Sequence, residues 1–315
     1  MRIVFIGTSE FAAPILKSIK EKTDWEVVLV VSEPAKPAGK KKMFIPSPVA
    51  LAAQELNLSL VTPESIKNAA AQITDLAADI MIIAAYGQIL PAEIISIPKF
   101  KTVNVHPSLL PRLRGASPIQ AALAKGLTET GVSLMLIDEK VDHGPVISQV
   151  AMAIKGEDTY LTLEPKLAEL GAKIIIRDLP RYVSGELQPR PQDDSQATFT
   201  KLIKKETGQI NWQKMSAEEV YNLWRAYLKW PGIYTFFKDR TGRSVRLKLI
   251  EIQKCAISDI AHKAGEVFID ASKNLYITCR EGTVKITKLQ PESSKILTIQ
   301  EFLNGYVYLV GRTLY

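Results

Sequence analysis

An amide and an imidazole stand two residues apart at Asn104 and His106, within Val103-Asn104-Val105-His106-Pro107. Positions two apart in a strand share a face, so both side chains leave the same side. Pro107 has no N–H for a ladder and biases His106 toward extended backbone, which puts the pair at or near a strand's carboxyl end. In open parallel sheets that is the end where ligands bind. Two such groups aimed at one point can steady a developing negative charge and exchange a proton. The same residues also fit a buried strand end whose histidine is satisfied by its neighbours. An apolar turn, Ser108-Leu109-Leu110-Pro111, follows, and then Arg112, Arg114 and Gly115 ahead of a helix.

The elements that must position this string alternate in the first half of the chain. The pattern predicts strands over 3–6, 27–31, 58–61, 79–84, at Asn104, and over 131–137 and 146–154. Helices are expected over 10–20, with Ser9 or Thr8 as cap, and over 48–56, 117–125 and 159–183. Residues 79–84 are almost continuously apolar, as in a strand covered on both faces. This order predicts a doubly wound, mostly parallel, Rossmann-like α/β domain. The turn after the first strand holds Gly7 alone where a dinucleotide fingerprint needs three glycines, which excludes a nicotinamide site.

Composition sets the outer limits. With 315 residues, 46% apolar and 23% charged, the chain has the make-up of a folded protein of one or two domains. No apolar run approaches the ~20 residues of a membrane span. The start lacks a signal-peptide core, since the run after Arg2 breaks at Gly7. Cys255 and Cys279 make neither a disulfide framework nor a metal cluster, so a cytoplasmic protein with reduced thiols and no metal is expected. The net charge is +7, and it is unevenly spread: residues 1–188 hold 20 basic and 20 acidic side chains, residues 189–315 hold 20 and 13. A solvated basic face explains that excess, and so does phosphate binding.

Beyond Ser184 the texture changes. Residues 185–196, with Pro189, Pro191 and Asp193-Asp194, read as a linker, followed by the basic run Lys201, Lys204 and Lys205. Helical spacing over 217–228 gathers Val220, Leu223, Trp224 and Tyr227 on one side. Five short strands then fit 233–237, 245–255, 265–269, 274–278 and 284–289, suggesting a small β-barrel of the oligonucleotide-binding (OB-like) type. The expected division is a first domain over 1–188, a linker over 189–206 and a basic barrel domain over 207–315. In the first half, residues 33–42 form a proline- and glycine-broken loop carrying Lys36, Lys40, Lys41 and Lys42, exposed and basic.

Taken together, N-x-H followed by S-L-L-P-R-L-R-G resembles the signature of the folate-dependent formyltransferases. The resemblance implies 10-formyltetrahydrofolate as co-substrate, with tetrahydrofolate as product and no metal. The family's D-x-G-P element falls on Asp142 to Pro145, so the implied catalytic triad is Asn104, His106 and Asp142. The loop Tyr86-Gly87-Gln88-Ile89-Leu90 and the turn Ser108-Leu109-Leu110-Pro111 are the implied folate-binding residues. His143 and His262 have no comparable setting and read as surface residues.

The loop at 33–42 resembles the basic insertion of the tRNA-directed members, and R-A-Y-L-K-W-P-G at Arg225 to Gly232 resembles the opening of their C-terminal domain. Initiator methionyl-tRNA is therefore the implied partner of a monomeric enzyme that formylates its free amino group. Lys36, Lys40, Lys41, Lys42, Arg112, Arg114, Lys204 and Lys205 are its expected contacts. Lys40 stands where the family commonly has arginine, which removes a planar fork. Formyl transfer to an amine passes through a tetrahedral intermediate, and N–H groups of Asn104 and His106 can hold its oxyanion. Asp142 would orient the ring and accept the amine's proton, directly or through water. The purine-pathway formyltransferases, which act on a small phosphorylated amine, share the triad. They lack the basic extension, and they hold phosphate on a glycine-rich turn where this chain has Gly7-Thr8-Ser9-Glu10-Phe11. A folate-regulated nucleic-acid-binding protein leaves the triad unexplained.

Overall fold

The computed structural model describes residues 1–38, 43–255 and 262–315. Contacts gather the chain into two units. The first comprises Met1–Pro118, Thr128–Ile154 and Thr162–Lys201, and the second Ile119–Leu127, Lys155–Leu161 and Leu202–Tyr315.

Seven strands make the first unit's sheet, in the order Val146–Ala153, Glu129–Leu136, Thr102–His106, Ile80–Ala84, Arg2–Gly7, Glu26–Val31, Leu60–Val61. From Thr102–His106 to Leu60–Val61 the neighbours are parallel. The other two strands join antiparallel beyond the Asn104 strand. Ile3 to Ile6 and Ile80 to Ala84 are all buried, which is why those runs are continuously apolar rather than alternating. The helix Tyr160–Val183 can lie close to the sheet because Gly171 lacks a side chain. A Cβ there would stand 3.0 Å from Val105 Cγ1, between the two polar residues of the Asn104 strand.

Two local expectations change. The first helix begins at Ala12, not 10, and has no side-chain cap; Ser9 Oγ instead accepts from the Phe11 N–H at 3.2 Å. Within the basic loop, Lys36–Ala38 pairs antiparallel with Met43–Ile45. Strands of three residues are too short for periodicity to reveal. Lys40, Lys41 and Lys42 lie outside the described residues. By contrast, Ser47 does cap the helix Pro48–Glu55, accepting from Ala50 N–H at 3.0 Å.

The stretch that reads as a linker is tied to the first unit. Arg190 exchanges backbone hydrogen bonds with Val146, and Phe199–Thr200 pairs parallel with Arg114–Gly115. Prolines and paired aspartates signal an irregular path, and here that path carries specific hydrogen bonds.

In the second unit, Ser216 and Glu219 form a capping box on the helix Ala217–Tyr227. Val220, Ala226 and Tyr227 are buried, together with the polar Asn222 and Arg225. Arg225 donates from Nη1 to the carbonyls of Lys155 and Asp158 and from Nη2 to Asn222 Oδ1, while its buried Nε has no hydrogen-bond partner. The antiparallel sheet runs Ile233–Lys238, Ser244–Lys254, Thr283–Pro291, Leu275–Thr278, Val267–Ile269, with Leu297–Thr298 also on Thr283–Pro291. All five expected strands are present; Leu297–Thr298 and the helix Ile299–Tyr306 were not expected. The last residues bond both sheet edges, Gly311 and Arg312 with Val267 and Tyr315 with Phe236. That leaves less bare edge to pair with other chains. Among the described residues, no helix is long and apolar enough to cross a membrane.

Candidate active site

Thr102–His106 runs between the parallel strands and the antiparallel pair, in register so that Asn104 stands opposite Ile83 and Met135. His106 is 4% exposed. Past Pro107 the chain turns, and the turn is fixed by buried polar groups. Ser133 Oγ donates to the Ser108 carbonyl at 2.6 Å and accepts from the Leu110 N–H at 3.1 Å. Gln149 Nε2 donates to the Leu110 carbonyl at 2.9 Å. Ser108 Oγ closes the loop on the Arg112 carbonyl at 2.7 Å. Ser108 and Leu110 are buried, while Leu109 and Pro111 are half-buried.

Asp142 meets this strand end from its own loop. Its Oδ1 accepts from Asn104 Nδ2 at 3.3 Å, and its Oδ2 accepts from the Gly115 N–H at 2.8 Å. The same Oδ2 lies 3.6 Å from His106 Nδ1. On its other side His106 Nε2 is 3.1 Å from the Leu113 carbonyl, so both ring nitrogens face oxygen atoms. The carboxylate thus joins the amide and the imidazole in one cluster. Its backbone is left-handed, with φ 49°, a conformation that costs a non-glycine residue energy.

Beside the cluster lies the loop from Ala85 to Leu90. Tyr86 and Leu90 pack on the core together with Ile137. The Tyr86 hydroxyl is buried with no hydrogen-bond partner, and burial, with Glu33 second, pushes its pKa up to about 12. Gln88 anchors the loop, accepting from Ile66 N–H at 2.8 Å and donating to the Glu64 carbonyl at 3.2 Å. A Cβ on Gly87 would stand 2.5 Å from Glu33 Oε1, the end of a flexible side chain that can turn aside. Ile89 is 85% exposed. A nearby open recess of about 440 Å³ is lined by Ala92, Ile95, Asp138, Glu139 and Lys140.

The basic residues divide. Lys36 is exposed and pairs with Glu33 at 2.7 Å, and Arg112, Lys204 and Lys205 are exposed. Arg114 does not face solvent. It is 3% exposed, donating from Nε to Gln192 Oε1 at 3.0 Å and from Nη2 to Asp194 Oδ1 at 2.8 Å. The expectation of a surface contact there fails because the chain around 192–194 returns to cover it. His143 is also no free surface residue, with Asp138 at 2.6 Å from Nδ1 and Asp194 at 3.3 Å from Nε2. His262 likewise pairs with Glu266 at 2.8 Å and stacks on Phe268. Gln192 and Asp194 carried no signal beyond their place in a proline-rich stretch, and Gly115 and Leu113 act here through backbone groups that sequence does not mark.

The family described as "Formyl transferase" matches residues 1–179, and "Formyl transferase, C-terminal domain" matches 202–307. The chain belongs to the formyltransferase family. Relatives along its full length include proteins named "Methionyl-tRNA formyltransferase" from Enterococcus faecalis and Caldicellulosiruptor saccharolyticus. The first is 39% identical, covering 96% of each chain, and the second 36%, covering 97% of each. In fold, this formyltransferase resembles HypX from Aquifex aeolicus in complex with tetrahydrofolic acid, with a TM-score of 0.64 at 20% identity. That likeness covers 98% of this chain but 48% of HypX, so the chain spans about half of that protein's length. Glycinamide ribonucleotide transformylase 1 from Symbiobacterium toebii matches 61% of this chain, with a TM-score of 0.51 at 18% identity.

Proposed function

We propose that this formyltransferase moves a formyl group from 10-formyltetrahydrofolate to the free amino group of initiator methionyl-tRNA. The observation that carries the reading is the joining of Asn104, His106 and Asp142 through one carboxylate at a strand's carboxyl end. The full-length relatives' printed name supports the choice of acceptor.

In this reading the amine nitrogen attacks the formyl carbon, and the carbonyl oxygen gathers negative charge. Asn104 and His106 hold that oxygen, each donor contributing roughly 3–4 kcal/mol to the transition state. Asp142 orients both and accepts the amine's proton, directly or through water. Collapse of the intermediate breaks the bond to the folate nitrogen, which takes a proton, and leaves formylmethionyl-tRNA. Tyr86, Leu90 and the Ser108–Pro111 turn offer the folate apolar walls, and the unpartnered Tyr86 hydroxyl offers it a polar group. Lys36, Lys40, Lys41, Lys42, Arg112, Lys204 and Lys205 contact tRNA phosphates, with the catalytic domain over 1–188 and the basic domain over 207–315. Arg114 is withdrawn from that set because it is buried.

Asn104→Ala, His106→Ala and Asp142→Ala are each expected to lower single-turnover formylation by ~10²–10³ while leaving the fold intact. Their combination should cost far less than the product of the separate losses, because all three act on one intermediate. Near-parent turnover in any one of them removes that residue from the mechanism.

A further inference from the structure

Every polar atom of the Gln192 side-chain amide is committed, and its commitments point at Asp142. Nε2 donates to the Asp142 carbonyl at 2.9 Å and to the Gly144 carbonyl at 2.8 Å. Oε1 accepts from Arg114 Nε at 3.0 Å. The amide has one workable orientation, since its donors meet carbonyls and its acceptor meets a guanidinium. Arg114 is 3% exposed and is itself held by Asp194, whose second oxygen lies 3.3 Å from His143 Nε2. His143 also reaches Asp138 at 2.6 Å, closing the 138–143 loop on itself while Asp194 holds it from the 190–200 stretch.

The same stretch also sets the other side of Asp142. The Gly115 N–H that binds the Asp142 carboxylate belongs to the short ladder with Phe199–Thr200. Gly115 has φ 108°, and a Cβ on it would stand 2.6 Å from the Thr200 carbonyl oxygen. Thr200 Oγ1 donates to the Arg114 carbonyl at 3.2 Å, and Thr198 Oγ1 accepts from the Leu113 N–H at 2.9 Å. Leu113 in turn supplies the carbonyl facing His106 Nε2. The backbone of Asp142, the amide that binds its carboxylate and the carbonyl facing His106 are therefore all fixed from residues 190–200. A left-handed aspartate persists only where its surroundings over-determine it, and Gln192 supplies that constraint at the Asp142 carbonyl itself.

We infer that Gln192 is a positioning residue for formyl transfer, a latch that holds Asp142 in its productive left-handed conformation. The inference rests on the catalytic role proposed for Asp142. In this role Gln192 acts through the backbone carbonyls of 142 and 144 rather than through either substrate. Loss of the latch should lower the rate of the chemical step, because a misplaced group loses rate even when both substrates are bound.

The test uses the full chain and two substitutions. Gln192→Leu keeps bulk and removes all three hydrogen bonds. Gln192→Glu keeps an acceptor for Arg114 and removes both donations to the loop. Amide hydrogen exchange at Gly115 is read first, in the protein without substrates. Both variants are expected to exchange there faster than the parent by ~10-fold or more, with Val103 and Val105 unchanged. Formylation of methionyl-tRNA should then show kcat lowered by ~10–100-fold, with KM for each substrate within about threefold. Placed in an Asp142→Asn background, Gln192→Leu should add no further loss. Parent-like exchange at Gly115 in both variants, or full additivity with Asp142→Asn, overturns the latch. An inactive parent with fast-exchanging variants overturns the reading of function and leaves the latch standing.

Discussion

Arg114 carries a full charge and is almost wholly enclosed, so its value lies in what it holds. Its guanidinium bridges Gln192 and Asp194, and its ring neighbour Phe199 lies 5.9 Å away. Removing Arg114 takes the donor from half-buried Gln192 Oε1, while exposed Asp194 can turn to water, so the cost falls mainly on Gln192. Arg114→Met should accordingly lower the denaturant midpoint and slow turnover, while the salt dependence of tRNA affinity stays at the parent slope. A slope reduced by one contact would return Arg114 to the tRNA surface. Lysine in its place keeps the charge without the fork, and should recover part of the stability but not both hydrogen bonds.

The 190–200 stretch acts at the scale of an element although it has almost no regular structure. Its acid sensitivity follows from Asp194. The Arg114 hydrogen bond above all, opposed by burial and helped by His143, holds the Asp194 carboxyl below its usual pKa. A depressed folded pKa means the contribution is present above the ordinary carboxylate range, near pH 4, and fades as pH falls through the depressed value. Asp194→Asn should therefore sit below the parent in denaturant midpoint at pH 7, and the gap should shrink in acid. Asp194 is solvent-exposed, so salt should narrow the gap as well. A gap that widens in acid would contradict the assignment. The sheet strands were legible in the sequence because burial on both faces writes itself as apolar runs, as at Ile80 to Ala84. The Asn104-His106 pair was legible because Pro107 marks the strand end. Gln192 was not, since nothing local distinguishes an amide in an irregular segment from one that reaches a loop fifty positions earlier. Met43–Ile45 escaped for a different reason: strands of three residues leave no period to read.

At the scale of the whole molecule, the proposed function has charge divide the work between the two halves of the chain. The net +7 falls entirely within residues 189–315, where Lys204 and Lys205 stand exposed. Reversing both to glutamate should weaken tRNA binding, flatten its dependence on salt by a slope of roughly 0.7–0.9 per lost contact, and leave folate affinity unchanged. An unchanged slope would place the tRNA elsewhere. The central claim is that the cluster of Asn104, His106 and Asp142 serves an aminoacyl-tRNA acceptor, and a single competition addresses it. The purified full chain is given 10-formyltetrahydrofolate with equal concentrations of methionyl initiator tRNA and glycinamide ribonucleotide, and the formylated products are counted by mass. Formylmethionyl-tRNA should form to the near exclusion of the formylated ribonucleotide. Formylation of the ribonucleotide with the tRNA left unmodified would contradict the account.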